Sequence, residues 1–375
     1  MLFVLTFLLL YTAMHALVYW GIQPLLAGHP LLPGLVKICM GVMIVAPILI
    51  RLLDRNGYPA MARGLAWLGY SWMGLIFLAF SLLAVVAAWH LLALGLRALR
   101  PAMPLLSVHG PACAAVVLLL ALGGALYGFF EATDLRLEQV VLVSDKLAPG
   151  RQPLRIVQVS DLHLGLLHRD ETLAPVVSRI RELQPDVLVA TGDVVDAQLD
   201  HLDGLQSLWH ELQPPLGKFA VTGNHEYYAG LQPSLAYLEA SGFTVLRGQS
   251  AAAGADLILV GVDDPAGGAS QEEAPLLAGL PRDRFIVLLK HRPHIDTTAA
   301  GLFDLQLSGH THRGQIFPFN LLTRLVYPLQ NGLYPLAGGG WLYTSRGTGS
   351  WGPPMRLGAP PEITLIEIRP AAAGE

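Results

Sequence analysis

The first third of the chain consists of long apolar runs separated by short polar breaks. No Asp, Glu, Lys or Arg occurs within residues 1–36, 64–96 or 101–130. Each of these runs is at least as long as the ~20 residues that a helix needs to cross the hydrocarbon of a bilayer. With the breaks marked by prolines and small polar residues, the pattern predicts four transmembrane helices at about 2–22, 34–53, 66–95 and 111–130.

A signal peptide and a soluble helical bundle are both less favoured for these runs. A cleaved signal peptide would have a basic start and an apolar stretch of roughly 7–15 residues, whereas the first run is longer and has no basic start. A soluble bundle would have to bury helices that are apolar on every side, which needs a larger partner layer than the chain offers. The third run exceeds one span, so we expect it to tilt or to extend past the bilayer.

After Phe130 the pattern changes to short aliphatic runs that end in Gly, Asp, His or Asn and alternate with amphipathic stretches. This pattern is typical of an α/β fold. The predicted strands are 154–160, 187–190, 219–222, 257–260, 285–289, 305–308, 342–344 and 363–368, and the predicted helices are 172–183, 202–212, 233–240 and 272–280.

These elements predict four parts of the chain. Residues 1–130 form the membrane region, and 131–153 form a polar connector that begins the soluble fold. Residues 154–370 form the α/β domain, and the Ala- and Gly-rich tail 371–375 is expected to be disordered.

Composition supports this division. The chain is 53% hydrophobic and 14% charged, while soluble domains have about 25% charged residues. The deficit lies before Glu131, where six basic residues and one acidic residue occur, so the net charge of −4 divides into +5 and −9. An acidic soluble part argues against a nucleic-acid partner. Cys39 and Cys113 both lie in apolar runs and indicate no disulfide framework.

Basic residues also predict an orientation. With four spans, the second loop and the segment after the fourth helix share one side of the membrane and hold five basic residues. The opposite side holds two. Because basic residues favour the cytoplasmic side, we expect a multi-pass protein with its soluble domain in the cytoplasm and the lipid bilayer as a partner.

Several predicted strands end in residue types that bind divalent metals. Each is an ordinary turn or loop residue on its own, but strand ends in an α/β sheet meet at one crevice. Residues two apart also point to the same side of an extended segment, so each such pair can chelate. Carboxylate, imidazole and amide oxygen donors suit Mn, Fe, Zn or similar ions, and no thiolate is present for a Cys-type structural zinc site. The residues are Asp161 and His163, Asp193, Asn224, His291, and His310 with His312.

This ordered set of D-x-H, GD, GNHE, a single His and GHTH resembles the calcineurin-like metallophosphoesterase superfamily over about 154–368. The end of the chain, from Tyr343 through Arg346 to Ile363, resembles the membrane-anchored branch of that family. The resemblance implies a four-layer αββα sandwich and two divalent metal ions. It assigns one ion to Asp161, His163, Asp193 and His312, and the other to Asp193, Asn224, His291 and His310, with Asp193 bridging.

The fourth block departs from the family pattern, because Lys290 stands where a small or polar residue is expected. His294 is a rival ligand in this block. We favour His291 because it directly follows a predicted strand.

Other polar residues are candidates for catalysis or substrate binding. His225 is placed to stabilise charge or to protonate the leaving oxygen, and Glu226 to orient or support it, although His225 can also be purely structural. Arg313 and Arg346 are candidates for a bidentate phosphate contact. Arg292 and Arg356 are equally well explained as structural ion-pair partners, and Asp263 with Asp264 as turn residues.

The sequence therefore predicts a two-metal hydrolase of a phosphoester or pyrophosphate, acting on a lipid-linked or membrane-derived substrate that the anchor concentrates. A soluble phosphodiester such as a cyclic nucleotide is the alternative substrate. A receptor or scaffold is the alternative class, which ionisable residues facing a pathway through the spans would support, but Lys37 lies near a helix end and fits snorkelling. The apolar segment 317–322 is a candidate for contacting acyl chains, with a packed loop as the alternative.

Overall fold

The structure is a computed structural model that describes residues 2–101, 108–268 and 271–371. Its first compact unit contains the apolar helices together with Gly352–Leu357. All four helices are long and apolar enough to cross a membrane, which confirms the predicted four-helix region. They are α1 (Leu2–Leu26), α2 (Leu32–Arg55), α3 (Pro59–Leu99) and α4 (Pro111–Thr133).

Polar groups inside this unit are used for packing. Trp72 donates its indole N–H to Nε2 of His15 at 3.0 Å, and Nδ1 of the same imidazole lies 2.7 Å from the carbonyl of Tyr11. The ring therefore has a neutral tautomer with a proton on Nδ1, and both nitrogens are satisfied. Arg356 is completely buried in the same unit, in agreement with a structural role.

The second unit, Glu131–Trp351 with the residues from Gly358, is an α/β sandwich. Its helices are α5 (Asp170–Leu183), α6 (Leu205–His210), α7 (Asn224–Ala229), α8 (Leu231–Ala240), α9 (Glu273–Ala278) and α10 (Phe319–Val326). Its strands are β1 (Arg136–Ser144), β2 (Leu154–Val159), β3 (Val187–Thr191), β4 (Lys218–Val221), β5 (Thr244–Val245), β6 (Gln249–Ala253), β7 (Leu257–Gly261), β8 (Phe285–Leu289), β9 (Leu305–Ser308), β10 (Gly332–Pro335), β11 (Trp341–Thr344) and β12 (Glu362–Pro370).

The strands form two six-stranded sheets, in the orders β1-β12-β2-β3-β4-β5 and β10-β11-β9-β8-β7-β6. The central strands of both sheets are buried on two faces, and successive side chains point to opposite layers. On β8, Val287 lies in the core between the sheets, whereas Ile286 packs outward with Leu277 of α9. On β2, Val157 packs with Leu173 of α5 on the other outer face. The predicted four-layer αββα sandwich is therefore confirmed, and burial on both faces explains the nearly continuous apolar strands.

The segment expected to be a polar connector contains a strand instead. β1 pairs in parallel with β12 over nine residues, from Arg136 with Glu362 to Ser144 with Pro370. It also contributes Val140 and Leu142 to the core between the sheets. The sandwich therefore begins almost directly after α4. Of the tail expected to be disordered, residues 372–375 lie outside the described residues.

Parallel pairing brings the ends of the central strands together. β2, β3 and β4 are mutually parallel, as are β7, β8 and β9. The loops that follow these strands therefore emerge at the same edges of the two sheets. The segment 317–322, expected as a loop, lies mostly in α10.

Candidate metal centre

The sequence-predicted ligands lie in loops directly after the central strands. Asp161 follows β2, Asp193 follows β3, and Asn224 opens α7 after β4. His291 follows β8, and His310 follows β9. The structure thus gathers loops from both sheets at one place.

These loops are not extended, contrary to our expectation for residue pairs two apart. Asp161, His163, Asp193, His310 and His312 all have positive φ, between 46° and 72°. Non-glycine residues seldom adopt this left-handed region, and such strained residues concentrate at functional sites. Asp161 and His163 lie in the same ligand group, whereas the two histidines of GHTH lie in different groups.

The first ligand group contains Asp161, His163 and His312. The Nε2 atoms of the two imidazoles lie 3.1 Å apart, and Nε2 of His312 lies 3.4 Å from Oδ1 of Asp161. All three side chains are buried. Two imidazole nitrogens at this separation either share a proton in an N–H···N hydrogen bond or face a common cation.

The second group contains Asp193, His291 and His310. Nδ1 of His310 lies 3.1 Å from Nε2 of His291, and that Nε2 lies 3.2 Å from Oδ2 of Asp193. The other nitrogen of His291 lies 2.8 Å from the carbonyl of Thr191, which fixes the ring and leaves Nε2 to face the group. This group therefore repeats the arrangement of the first.

Asp193 belongs to the second group, and one of its oxygens also approaches the first group. Its Oδ2 lies 3.2 Å from His291 and 4.0 Å from Nε2 of His163. Its Oδ1 accepts the backbone N–H of His225 at 2.8 Å, so the carboxylate cannot rotate freely. One oxygen is thus presented to both groups, which is the geometry that a bridging ligand requires.

Three observations test whether these residues fit metal ions. The donors are carboxylate and imidazole groups, which suit borderline divalent ions. Each group brings two imidazole nitrogens to within 3.1 Å of each other. The side-chain oxygen of Asn224 is buried and makes no hydrogen bond within the part of the chain that the structure describes, although buried acceptors almost always have a partner. The residues therefore fit two cations.

The two histidines of the second group have pKa values that are shifted in opposite directions. Burial lowers the pKa of His291, but attraction to Asp193 outweighs it and raises the value to about 10. Burial and the charge on His291 lower the pKa of His310 to about 3. His291 is therefore the imidazole of this pair that holds a proton, and binding of a metal ion would displace that proton.

His225 lies beside the groups and is held by a residue that our sequence analysis did not identify. Its Nδ1 lies 2.9 Å from Oδ1 of Asp196, and its ring packs edge-on against His163 with centroids 4.6 Å apart. Although burial lowers the pKa of His225, Asp193 and Asp196 raise it to about 9. His225 also lies within reach of His163 and Asp193 as a third possible ligand group. The spacing GDVVD was the available signal for Asp196.

Glu226 faces the backbone and not the ligand groups. Its Oε2 accepts N–H bonds from Asp193 and Gly223, and its Oε1 accepts from Val194 and Val195. The carboxylate is completely buried. Burial and the nearby Asp193 raise its pKa to about 7, while the backbone donors oppose that shift. Glu226 therefore positions the loop that carries Asp193, which differs from the supporting role toward His225 that we expected.

The candidate arginines differ in their surroundings. Arg346 is paired with Glu362 at 2.9 Å and with Glu138, and it also donates to a backbone carbonyl. Since two carboxylates occupy this guanidinium, we propose no phosphate contact for Arg346. Arg313 is half-buried directly after His312 and stays a candidate.

The structure also explains the fourth sequence block. Lys290 pairs with the buried Glu273, which accounts for a lysine at this position. Arg292 makes two 2.8 Å bonds to Asp264, as expected for a structural ion pair. His294 packs against Tyr327 and belongs to none of the ligand groups found among the described residues, so the geometry favours His291.

Tyr327 is a second residue that our sequence analysis did not identify. Its hydroxyl lies 3.0 Å from Nε2 of His310, on the side of the ring opposite to the nitrogen that faces His291. A partner on the outer nitrogen fixes the orientation and tautomer of a ligand histidine. Nothing in the local sequence around Tyr327 indicated this contact.

Comparison with known proteins agrees with this geometry. Residues 154–314 match the family of calcineurin-like phosphoesterases. An uncharacterized metallophosphoesterase from Aquifex aeolicus (strain VF5) is 40% identical over 249 residues, which cover 65% of this chain and 95% of that protein. The chain therefore belongs to the calcineurin-like phosphoesterase family.

Two further relatives indicate to which branch of the family the chain belongs. A transmembrane protein with metallophosphoesterase domain from Danio rerio is 34% identical and is matched over 66% of this chain and 60% of its own length. An uncharacterized metallophosphoesterase from Helicobacter pylori (strain J99 / ATCC 700824) is 32% identical over 65% of this chain and 66% of its own. The chain thus spans less than two thirds of these two relatives. With its four apolar helices, it falls in the membrane-anchored branch of the family.

Among solved structures, a 5'-nucleotidase precursor from Thermus thermophilus aligns with 58% of this chain and 54% of its own. The TM-score is 0.35 and the identity 16%, a likeness too distant to support an inference about substrate.

Proposed function

We propose that this protein is a membrane-anchored phosphoesterase that hydrolyses a phosphoester or pyrophosphate bond of a lipid-linked substrate with two divalent metal ions. The observation that carries the proposal is the single Asp193 oxygen presented to two imidazole-rich groups. Asp161, His163, Asp193 and His312 hold one ion, and Asp193, Asn224, His291 and His310 hold the other. Mn, Fe and Zn all suit these donors. Such a pair supplies Lewis acidity to the phosphoryl group and lowers the pKa of water.

His225 supplies the charge and the proton that the leaving oxygen needs. Its Nδ1 is committed to Asp196, so the ring is fixed and Nε2 is the nitrogen available to the substrate. The hydrogen bond to Asp196 favours the protonated imidazole, which can stabilise a phosphoryl oxygen or protonate the leaving group. Arg313, next to His312, is the candidate for a bidentate contact with the phosphate.

A lipid-linked substrate is supported by how the chain is connected. Only Asp134 and Leu135 separate α4 from β1, so a two-residue connection ties the enzyme domain to the apolar helices. Such tethering raises the effective concentration of membrane substrates over soluble ones.

A substrate panel tests this proposal. Purified full-length protein with added Mn²⁺ is assayed against lipid phosphoesters and pyrophosphates in nanodiscs and against soluble phosphodiesters, including a cyclic nucleotide. Asp193→Ala is the control for contaminating hydrolases. We expect the wild type to turn over a lipid substrate faster than any soluble one. Faster turnover of the soluble diester would make soluble phosphodiesters the better proposed substrate class. No activity on any phosphoester would refute the proposal that the protein is a phosphoesterase.

We further propose that the soluble domain lies in the cytoplasm, on the basis of the five-to-two distribution of basic residues. An Ala148→Cys variant in a background without Cys39 and Cys113 tests this, because Ala148 is exposed. An impermeant thiol reagent should label it only after the cells are broken. Labelling in intact cells would show that the soluble domain lies on the opposite side of the membrane.

A further inference from the structure

α10 carries an exposed apolar surface beside the ligand groups. Leu325 is 79% exposed and Val326 64%, although both are large aliphatic residues. Phe319, Leu321 and Leu322 are also exposed on the same short helix. Contiguous apolar patches of this kind mark contact with a protein or a membrane.

The helix is oriented opposite to a normal surface helix. Its polar residues Asn320 and Thr323 are half-buried against the domain, and the side-chain oxygen of Asn320 is buried. A Cβ added to Gly314 would collide with the backbone of Asn320, which shows how closely this side is packed. A helix that faces water places its apolar residues inward, whereas α10 places them outward. The exposed side of α10 is therefore suited to an apolar environment and not to water.

Both ends of α10 are connected to the metal centre. The 3₁₀ turn His312–Gly314 lies shortly before it and contains a ligand histidine. Tyr327, the residue that follows the helix, contacts His310. Anything that binds α10 is therefore held next to the ligand groups.

The chain itself indicates the partner. Four helices suited to a bilayer precede the domain, and a two-residue connection joins the last of them to β1. Arg324, exposed within α10, adds a positive charge to the apolar surface. Apolar side chains combined with basic residues are typical of helices that lie at the headgroup and acyl boundary and attract anionic lipids.

We propose that α10 is an interfacial helix, whose apolar side inserts into the bilayer that anchors the protein. Phe317, which precedes the helix, and Trp351 are exposed aromatic residues that extend this surface, with Trp351 linked to the same region through Gln315. Docking would hold the ligand groups at the depth of lipid headgroups. The inference depends on the membrane anchor and not on which bond the enzyme cleaves.

The test is the local environment of a fluorophore on α10. Full-length protein without Cys39 and Cys113 receives a single cysteine at Leu325, labelled with the polarity-sensitive dye NBD. It is reconstituted in vesicles of phosphatidylcholine and phosphatidylglycerol that contain spin-labelled lipid. Ser178→Cys on the exposed side of α5 is the water control, and Leu119→Cys in α4 is the bilayer control.

We expect blue-shifted emission at Leu325 and quenching by a shallow spin label about threefold stronger than at Ser178, as for a helix at the interface. Emission and quenching equal to those at Ser178 would overturn the proposal. A blue shift without lipid quenching would also overturn it, since it would indicate contact with protein, such as a second copy of the chain. If the Leu325 variant does not fold, Leu321→Cys examines the same surface.

A charge substitution separates docking from catalysis. With NBD at Leu321, the additional change Leu325→Glu should reduce lipid quenching, because it removes apolar area from the inserted side and adds a charge that anionic phosphatidylglycerol repels. Hydrolysis of a soluble diester should persist, which shows that the metal centre is intact. Docking without hydrolysis of any lipid phosphoester would refute the proposed substrate and leave the interfacial helix standing.

Discussion

Glu226→Gln is the substitution that best distinguishes a positioning role from a chemical one. Glu226 lies in α7, and its carboxylate accepts four backbone N–H bonds, of 2.6 to 3.3 Å, from the loops that carry Asp193 and Asn224. Glutamine keeps the shape of the side chain but offers only one acceptor oxygen. We therefore expect the substitution to loosen the loop that presents the bridging carboxylate.

The magnitude follows from counting donors. Each oxygen of Glu226 serves two N–H groups, so the amide nitrogen of glutamine would replace two acceptor contacts with donor-against-donor contacts. Above the Glu226 pKa of about 7, where the carboxylate is charged, hydrogen bonds to it contribute ~1.5–3 kcal/mol each, so the loss of two is about 3–6 kcal/mol. Domain stability is typically about 5–15 kcal/mol, so the effect is large.

The assay compares bound metal, thermal inactivation and turnover in the full-length protein. Glu362→Gln is the matched control, because Glu362 is an equally buried carboxylate that accepts from Tyr343 and pairs with Arg346 outside the ligand loops. We expect both variants to inactivate at lower temperature, but only Glu226→Gln to lose metal at a temperature where both are folded. A Glu226→Gln protein with normal stability and metal content but no turnover would refute the positioning role and assign Glu226 to the chemistry.

Asp193→Ala removes the oxygen shared by both groups, so metal and activity should fall together, whereas His225→Ala should keep its metal and lose turnover. Metal analysis with kinetics checks both, and unchanged metal in Asp193→Ala would contradict the bridge. Tyr327→Phe removes the outer partner of a ligand histidine, so metal titration should show affinity reduced about tenfold with little loss of stability; unchanged affinity would show that the contact is incidental. A fragment of residues 131–375 should fold, whereas 147–375 lacks β1 with its nine-residue pairing and two core side chains, and should unfold at lower denaturant in circular dichroism. Equal midpoints would mean that β1 is dispensable.

The sequence predicted the buried strands well because their burial is local information. β8 and β9 have the predicted bounds, 285–289 and 305–308, since a strand buried on both faces is a continuous apolar run. The ligands were also recognisable, because each follows such a run. β1 was not, because its first half is polar and its pairing partner, β12, lies more than 200 residues later in the chain. That pairing is a tertiary event that no local pattern encodes.

The rest of the site was hidden for a related reason. Tyr327 reaches His310 only because α10 folds back after the GHTH block, and a helix of eight residues with its apolar side outward has no pattern that fixes its direction. Asp196 lies close to Asp193 in the sequence, but the sequence did not indicate its contact with His225. That contact joins two loops that follow different strands. Sequence spacing thus identifies ligands along one loop, whereas residues that hold those ligands from a neighbouring loop need coordinates.

The glycines of the motifs show that the sequence nevertheless contains information on the packing between loops. A Cβ on Gly223 would collide with the carboxylate of Asp193, and one on Gly309 would collide with the carboxylate of Asp161. A Cβ on Gly192 would lie 2.7 Å from a ring nitrogen of His291. In each case the glycine of one loop makes room for a ligand carried by another. The Gly in GD, GN and GH is therefore required by the crowding of ligands around two shared positions, independently of any turn that it also permits.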